Sequence, residues 1–219
     1  IETRPLPQGW RWTRLGEEST TTSGGTPSRN ISTYYGGNIP WVKSGELKDC
    51  SISVTEETIT QDGLANSSAK IFPAGTLLIA LYGATVGKLG VLEIEAATNQ
   101  AVCAIHLSES IQRNYLFFYL LHQRPLLIER SAGGAQPNIS QDIIRNLEVP
   151  LPPLSQQKRI AAILEKADSL RRFLDPLPVA DWFNRAAPKV KSGEVVPEAL
   201  DGLPYTAAWL ARMEARPSV

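Results

Sequence analysis

Cysteine and histidine are scarce in this chain. Cys50 and Cys103 stand far apart and form no paired motif. That argues against a disulfide scaffold and for a reducing, cytoplasmic setting in which each thiol is buried. The Asn-x-Ser sequons at Asn30, Asn66 and Asn138 are then incidental. His106 and His122 have no Cys, Asp or second His at ligand spacing, so no metal centre is expected. Net charge is missing too, since 22 basic residues balance 22 acidic ones. That excludes a strongly basic, non-specific nucleic-acid coat protein. A local basic face stays open, because attraction to phosphate follows the local field. No apolar stretch reaches the roughly 18 residues of a membrane span. The opening IETRPLPQGW lacks a signal peptide's apolar region, and Ile1 suggests that the numbering does not begin at a natural start. No Gly-x-Ser-x-Gly elbow occurs, so nucleophilic catalysis has no support.

What is present suits a globular domain. The apolar fraction of 42% is ample for a core, and 219 residues fit one large domain or a domain with an appendage. The first half reads as mostly β. Trp10, Trp12 and Leu15 nearly alternate and favour a strand over Leu6 to Gly16. Ser19 to Arg29 reads as a loop and Tyr35 to Asn38 as a turn, with Ile39 to Val42 extended. Ser51 to Thr60, Gly75 to Tyr82, Leu89 to Ile94 and Ala101 to Leu107 read as strands. The second half changes period. Leu116, Phe117, Leu120, Leu121 and Leu127 predict a helix over Asn114 to Arg130, which Pro125 should kink or interrupt. Ser140 caps a short helix through Leu147, and Glu148 to Pro153 leaves as an extended segment. Ser155 is expected to cap a last helix, about 30 Å long at 1.5 Å per residue, running to Leu174. Ile160, Ile163, Ala167, Leu170 and Leu174 form a coiled-coil seam along it.

Little of the remaining polar chemistry is catalytic. Gly83-Ala84-Thr85-Val86-Gly87-Lys88 has three residues between its glycines where a P-loop has four, and Leu89 stands where magnesium needs Ser or Thr. A tight turn is the plain reading, with Lys88 and the turn amides meeting a DNA phosphate as the functional one. Glu93 and Glu95 would share one face of a strand, which metal binding permits, but no Asp partner stands at recognisable spacing. A solvated strand edge is expected there, and a metal-dependent nuclease built on Glu93, Glu95 and Lys88 is the alternative. Tyr115, Phe117, Phe118 and Tyr119 read as core, whereas Tyr82 and Tyr34-Tyr35 adjoin Gly-rich turns and suit ligand contact. Asn99-Gln100, Gln136 and Asn138 sit beside Gly and Pro in loops. Such amides can bond adenine bidentately in a major groove, as Arg or Lys bonds guanine. A protein-assembly adaptor without DNA readout is a third class.

Several motifs occur together. They are GGTPS at 24–28, Tyr35-Gly36-Gly37-Asn38-Ile39-Pro40-Trp41, Lys43-Ser44-Gly45-Glu46-Leu47, Asn66-Ser67-Ser68-Ala69-Lys70, Pro73-Ala74-Gly75-Thr76, Gly83 to Lys88, Thr98-Asn99-Gln100-Ala101 and Val149 to Gln157. In order and spacing they resemble the target recognition domain of type I restriction-modification specificity subunits, over about residues 5 to 174. The resemblance implies an α+β fold, a twisted mixed β-sheet recognition domain with flanking helices, followed by a C-terminal spacer and dimerisation helix. It implies a DNA recognition domain over 1–152, a spacer helix over 153–175 and a tail over 176–219 of unknown role. It implies no catalysis by this chain. Its partners would be double-stranded DNA and methyltransferase subunits that bring S-adenosylmethionine for adenine-N6 methylation, with a restriction subunit able to join. Loop chemistry and resemblance together place Thr26, Arg29, Lys43, Ser44, Tyr82, Thr85, Lys88, Asn99, Gln100, Gln136 and Asn138 at DNA. Lys43, Lys88 and Arg29 would hold phosphates or guanine while Gln100 and Gln136 read bases. A usual member has two recognition domains and two helices; this chain has one of each, so a homodimer reading an interrupted palindrome is expected.

Overall fold

The computed structural model describes residues 5–131 and 137–174. The described residues divide into two units, with the boundary between Leu164 and Glu165. In chain order the elements are β1 (Arg11–Arg14), α1 (Leu15–Glu18), β2 (Ser19–Ser23), β3 (Tyr35–Val42), β4 (Cys50–Ile52), β5 (Glu57–Ile59), α2 (Gln61–Ala65), β6 (Ile71–Phe72), β7 (Leu77–Ala80), β8 (Leu89–Leu92), β9 (Ala96–Thr98), β10 (Val102–Leu107), α3 (Arg113–Arg130), α4 (Gln141–Arg145), β11 (Glu148–Leu151) and α5 (Leu154–Leu174). Short 3-10 turns cover Ser32–Tyr34 and Ser44–Glu46.

A five-stranded sheet has the order β2-β10-β7-β8-β4, and a four-stranded sheet the order β5-β3-β9-β6. Both are mixed, because β4 runs parallel to β8 and β3 parallel to β9 while the other pairs are antiparallel. The central strands are apolar on both sides for a physical reason. Alternate side chains of a strand point to opposite faces. Leu77 and Ile79 of β7, with Cys103 and Ile105 of β10, meet α3 through Leu116 and Leu120. Leu78, Ala80, Val102 and Ala104 point the other way, against Val42, Phe72 and Ala96 of the second sheet. Ile39, Trp41, Ile59, Ala69 and Ala97 pack on that sheet's far side. Each fully buried aliphatic side chain contributes about 1.5–3 kcal/mol, so the two-sided strands anchor the unit. A separate ribbon, β1 against β11, pairs Arg11 with Leu151 and Arg14 with Glu148. The α+β expectation of mixed sheets with flanking helices is met.

Several local expectations need correction. Ser19–Ser23 is a strand and not a loop, because β10 supplies it a partner from Cys103↔Ser23 to Leu107↔Ser19. Its Thr20-Thr21-Thr22 run is β-branched and suits a pleat. Tyr35 to Asn38 is no isolated turn but the irregular start of β3, with a register shift between Tyr35 and Ile39. Ser51 to Thr60 splits into two short strands that join different sheets. The helix over 113–130 runs through Pro125 without interruption; the proline is exposed. Gln112 caps that helix, its side chain accepting from the Tyr115 amide at 2.6 Å. The last helix starts at Leu154, so Ser155 lies inside it, and the Pro153 carbonyl accepts the first amides, from Gln156 at 2.9 Å and Gln157 at 3.1 Å. Ser140 does cap α4, accepting from Ile143 at 3.2 Å. Gln136 and the tail from Asp175 onward lie outside the described residues.

Candidate nucleic-acid interface

The loop after β2 is fastened at every step. The Gly24 amide donates to Val102 at 3.2 Å and the Gly25 amide to Thr98 at 2.9 Å. Trp41 Nε1 donates to the Gly25 carbonyl at 3.1 Å, and the Tyr35 hydroxyl to the Pro27 carbonyl at 2.6 Å. Only glycine fits here: a Cβ on Gly24 would lie 2.1 Å from the carbonyl oxygen of Thr98, and one on Gly25 2.3 Å from the Ala69 amide nitrogen. The approach is close enough that Thr98 is wholly buried and its Oγ1 has no hydrogen-bond partner. Thr26 then bonds through Oγ1 to Gln100 Oε1. The Asn99 amide donates to Val42 at 2.9 Å, while Asn99 Oδ1 accepts from Ala101 at 3.2 Å and so shapes the turn. Gln100 is exposed.

Arg29 and Lys43 meet on one carboxylate. Arg29 Nη1 lies 2.6 Å from Glu57 Oε2 and Nη2 lies 3.3 Å from Oε1. Lys43 Nζ reaches the same Oε1 at 2.9 Å and Glu56 Oε2 at 2.8 Å. The Arg29 guanidinium also lies over Tyr35, 4.4 Å from its ring centroid, and 5.0 Å from that of Trp41. Hydrogen bonds from Arg29 and then Lys43 hold the Glu57 carboxyl below its usual range. Glu56 and then Glu57 hold the Lys43 ammonium above its own. Glu46 closes the Lys43 turn, accepting from the Lys43 amide at 2.7 Å.

The turn from Gly83 to Lys88 is a hairpin connection from β7 to β8. Ala80 closes it on both sides, its carbonyl accepting from the Gly87 amide at 2.8 Å and its amide donating to the Lys88 carbonyl at 2.8 Å. Gly87 has φ 75°, a left-handed backbone that favours glycine. Thr85 Oγ1 donates to the Ser44 carbonyl at 2.9 Å and ties this turn to the Lys43 turn. Lys88 Nζ lies 2.8 Å from Asp49 Oδ2. Arg124, from α3, donates through Nε to Gly87 at 2.8 Å and through Nη2 to Asp49 Oδ1. Burial raises the Asp49 carboxyl, yet hydrogen bonds from Lys88, the Leu89 amide and Arg124 outweigh it and the net shift is downward. Beyond the turn, Tyr82 bridges to Asn138, and the Ile139 amide donates to Leu81 at 2.8 Å. Asn138 is exposed and Tyr82 half-buried against the α3 core.

The sequence-selected loops are therefore brought together. Hydrogen bonds link 24–27 to 98–100, 99 to 42, 85 to 44 and 81–82 to 138–139. The expected phosphate-binding cations are not bare, since Arg29, Lys43 and Lys88 each carry a carboxylate partner. Glu57, Asp49, Arg124 and Trp41 were missed in the sequence. The aromatic pair flanking Gly36-Gly37 was the one available hint; the carboxylates lie 14 to 75 positions from their partners. Glu93 and Glu95 lie in the bend between β8 and β9 and not on a strand, both exposed. Among the described residues no group of three His, Cys, Asp or Glu side chains is placed to hold a metal ion. Cys103 is buried, which pushes its thiol up to about 12.

The start of α5 is built into the same unit. Gln157 is fully buried; its Oε1 accepts from the Gln112 amide at 2.8 Å and its Nε2 donates to Ser110 at 2.8 Å and Pro152 at 2.9 Å. Ala161 is buried and Ile160 packs beside it on the α3 core. Ile160 is half-buried, with part of its side chain against the domain at the first helical turns. Ile163 and Leu170 are exposed at 39% and 46%, and Ala167 is exposed. The Leu174 side chain lies outside the described residues.

Comparison with known proteins gives the family and the fold. The family model for the type I restriction modification DNA specificity domain matches residues 7–173. The Escherichia coli type I restriction enzyme EcoR124I/EcoR124II specificity subunit is 30% identical over 166 residues, 73% of this chain and 41% of that protein. The MjaIX specificity subunit of Methanocaldococcus jannaschii is 29% identical over 171 residues, 75% and 39% of the two chains. The solved HsdS subunit from Thermoanaerobacter tengcongensis superposes with a TM-score of 0.63 at 26% identity, covering 80% of this chain and 41% of that one. A chain solved in work on assembly and conformational transition of the type I R-M system gives a TM-score of 0.66 at 26% identity, covering 80% and 42%. This chain spans about two-fifths of the length of these relatives. It belongs to the family of type I restriction-modification DNA specificity domains.

Proposed function

We propose that this chain reads one half of a split double-stranded DNA target for a partner adenine-N6 methyltransferase, and catalyses nothing itself. The observation that carries the reading is the convergence of the 24–29, 43–46, 82–88, 98–100 and 138–139 loops, hydrogen-bonded to one another on a β framework. Base discrimination needs donors and acceptors held in place, since a bidentate pair is worth about 1–3 kcal/mol only when both bonds align. Gln100 and Asn138 offer exposed amides, and Arg29 an exposed guanidinium. Thr26 orients Gln100. Lys88 supplies charge for phosphate; Lys43, ion-paired with Glu56 and Glu57, lies at the same DNA-facing surface with Ser44, Tyr82, Thr85 and Asn99. Gln136, outside the described residues, keeps its base-reading assignment on its loop chemistry and the resemblance.

S-adenosylmethionine belongs to the methyltransferase partner, and a restriction subunit can join the assembly. Residues 1–152 form the recognition domain, 153–175 the spacer helix and 176–219 a tail to which no role is given. Ile160, Ile163, Ala167, Leu170 and Leu174 form the seam through which two copies pair. The resulting homodimer reads an interrupted palindrome. No helix among the described residues is long and apolar enough to cross a membrane, and the cytoplasm is the proposed site of action. Methylome sequencing tests the reading in cells carrying the chain and its methyltransferase, with and without the chain. A bipartite methylated-adenine motif that disappears on deletion is expected; a methylome unchanged by deletion overturns it.

A further inference from the structure

We propose that Glu57 is a specificity-determining positioning residue: it presents the side edge of the Arg29 guanidinium to one guanine and withholds Lys43 from the phosphate backbone. The inference rests on the reading just proposed and goes beyond it, because it turns an apparent electrostatic defect into a selection device. Arg29 is gripped on two sides. Glu57 takes the end-on pair of donors, Nη1 and Nη2, at 2.6 and 3.3 Å. The faces of Tyr35 and Trp41 lie 4.4 and 5.0 Å from the guanidinium carbon. A guanidinium has five N–H donors in a planar fork. With the end-on pair taken by a carboxylate, the Nε edge remains as the bidentate face, the geometry that suits guanine O6 and N7.

The same carboxylate shares Oε1 with Lys43 at 2.9 Å. Three charges and Glu56 therefore sum to zero in this corner. A bare Arg and Lys here would bind any duplex through its phosphates, and that term carries no sequence information. Neutralising them lowers affinity for every sequence alike, while fixing the guanidinium raises the penalty for a wrong base. Tyr35 and Trp41 are themselves locked to the 24–28 loop by hydrogen bonds to Pro27 and Gly25. The Arg29 corner is thus tied to the loop that carries the Thr26–Gln100 contact.

The test uses the full chain with its methyltransferase partner and a duplex library with a randomised centre, followed by sequencing of the bound fraction. Wild type, Glu57→Gln and Arg29→Lys are compared, and each is also titrated with one fixed scrambled duplex at several salt concentrations. Glu57→Gln is expected to relax one guanine position about 10-fold or more, to tighten binding to the scrambled duplex and to steepen its salt slope by about one. Arg29→Lys keeps the charge but loses the fork and should relax that same position. A merely structural role for Glu57 would weaken all duplexes together with no gain on the scrambled one. That outcome, or a motif kept intact by both variants, or relaxation at different positions, overturns the inference. A wild-type complex that enriches no motif overturns instead the DNA-reading function itself.

Discussion

The buried side chain of Gln157 holds the amide of Gln112 at 2.8 Å, and Gln112 in turn caps Tyr115 at the start of α3. One residue of α5 thereby fixes the N-terminus of the helix that covers the main sheet. Removing it leaves the Gln112 amide and the Ser110 and Pro152 carbonyls without their partner. Gln157→Ala should lower unfolding free energy by about 2–4 kcal/mol, read from urea titration of the full chain. A loss below about 1 kcal/mol would show that water replaces the amide.

Thr98 makes the opposite prediction. Its hydroxyl is buried without a partner, an arrangement that costs about 1–3 kcal/mol. Thr98→Val keeps the shape and removes the orphan, so stability should hold or rise by about 1 kcal/mol. Gly24→Ala in the same contact should be strongly destabilising, because its Cβ would overlap Thr98 at 2.1 Å. Thermal unfolding of the two variants should move in opposite directions.

Asp49 couples the Lys88 turn to pH. Its folded carboxyl titrates below the ordinary value, so its contribution is complete above the unfolded value near 4. It is lost as pH falls through the folded value beneath that. Asp49→Asn should therefore be less stable than wild type by about 1–3 kcal/mol at pH 7. The gap should close as both are acidified below about pH 4. A gap that stays constant into strong acid would mean the ion pairs with Lys88 and Arg124 contribute nothing.

Gln100 and Lys88 separate base reading from backbone attraction. Gln100→Ala should cost about 1–3 kcal/mol on the cognate duplex and little on others. Lys88→Ala should weaken all duplexes alike and flatten the salt slope by about one. Gel-shift titration with the methyltransferase present reads both. Unchanged binding in both variants would remove these residues from the interface.

Leu170 tests the proposed pairing of two copies. It is 46% exposed, so Leu170→Glu should change unfolding free energy by less than about 0.5 kcal/mol. It should nonetheless convert a dimer to a monomer in sedimentation equilibrium. A wild type that sediments as a monomer at all concentrations would rule out the seam.

Periodicity and punctuation in the sequence determined a good deal. The apolar run of β7, the helical spacing of α3, the Ser140 cap and the Gly83 to Lys88 turn are local patterns, and each appears where its residues predicted it. The candidate loops were legible as well, because Gly beside Asn, Gln and Lys has few structural uses in such repetition. Only the tertiary structure decided the rest. Ser19–Ser23 became a strand because β10 lay beside it, Ile160 became half-buried against the domain, and Gln157 became a buried cap. The pairing of Arg29 and Lys43 with Glu57, and of Lys88 and Arg124 with Asp49, was likewise invisible. Side-chain charge is written in the sequence, but the distance that makes it a partner or a bare cation is set by strand order, which no local pattern records.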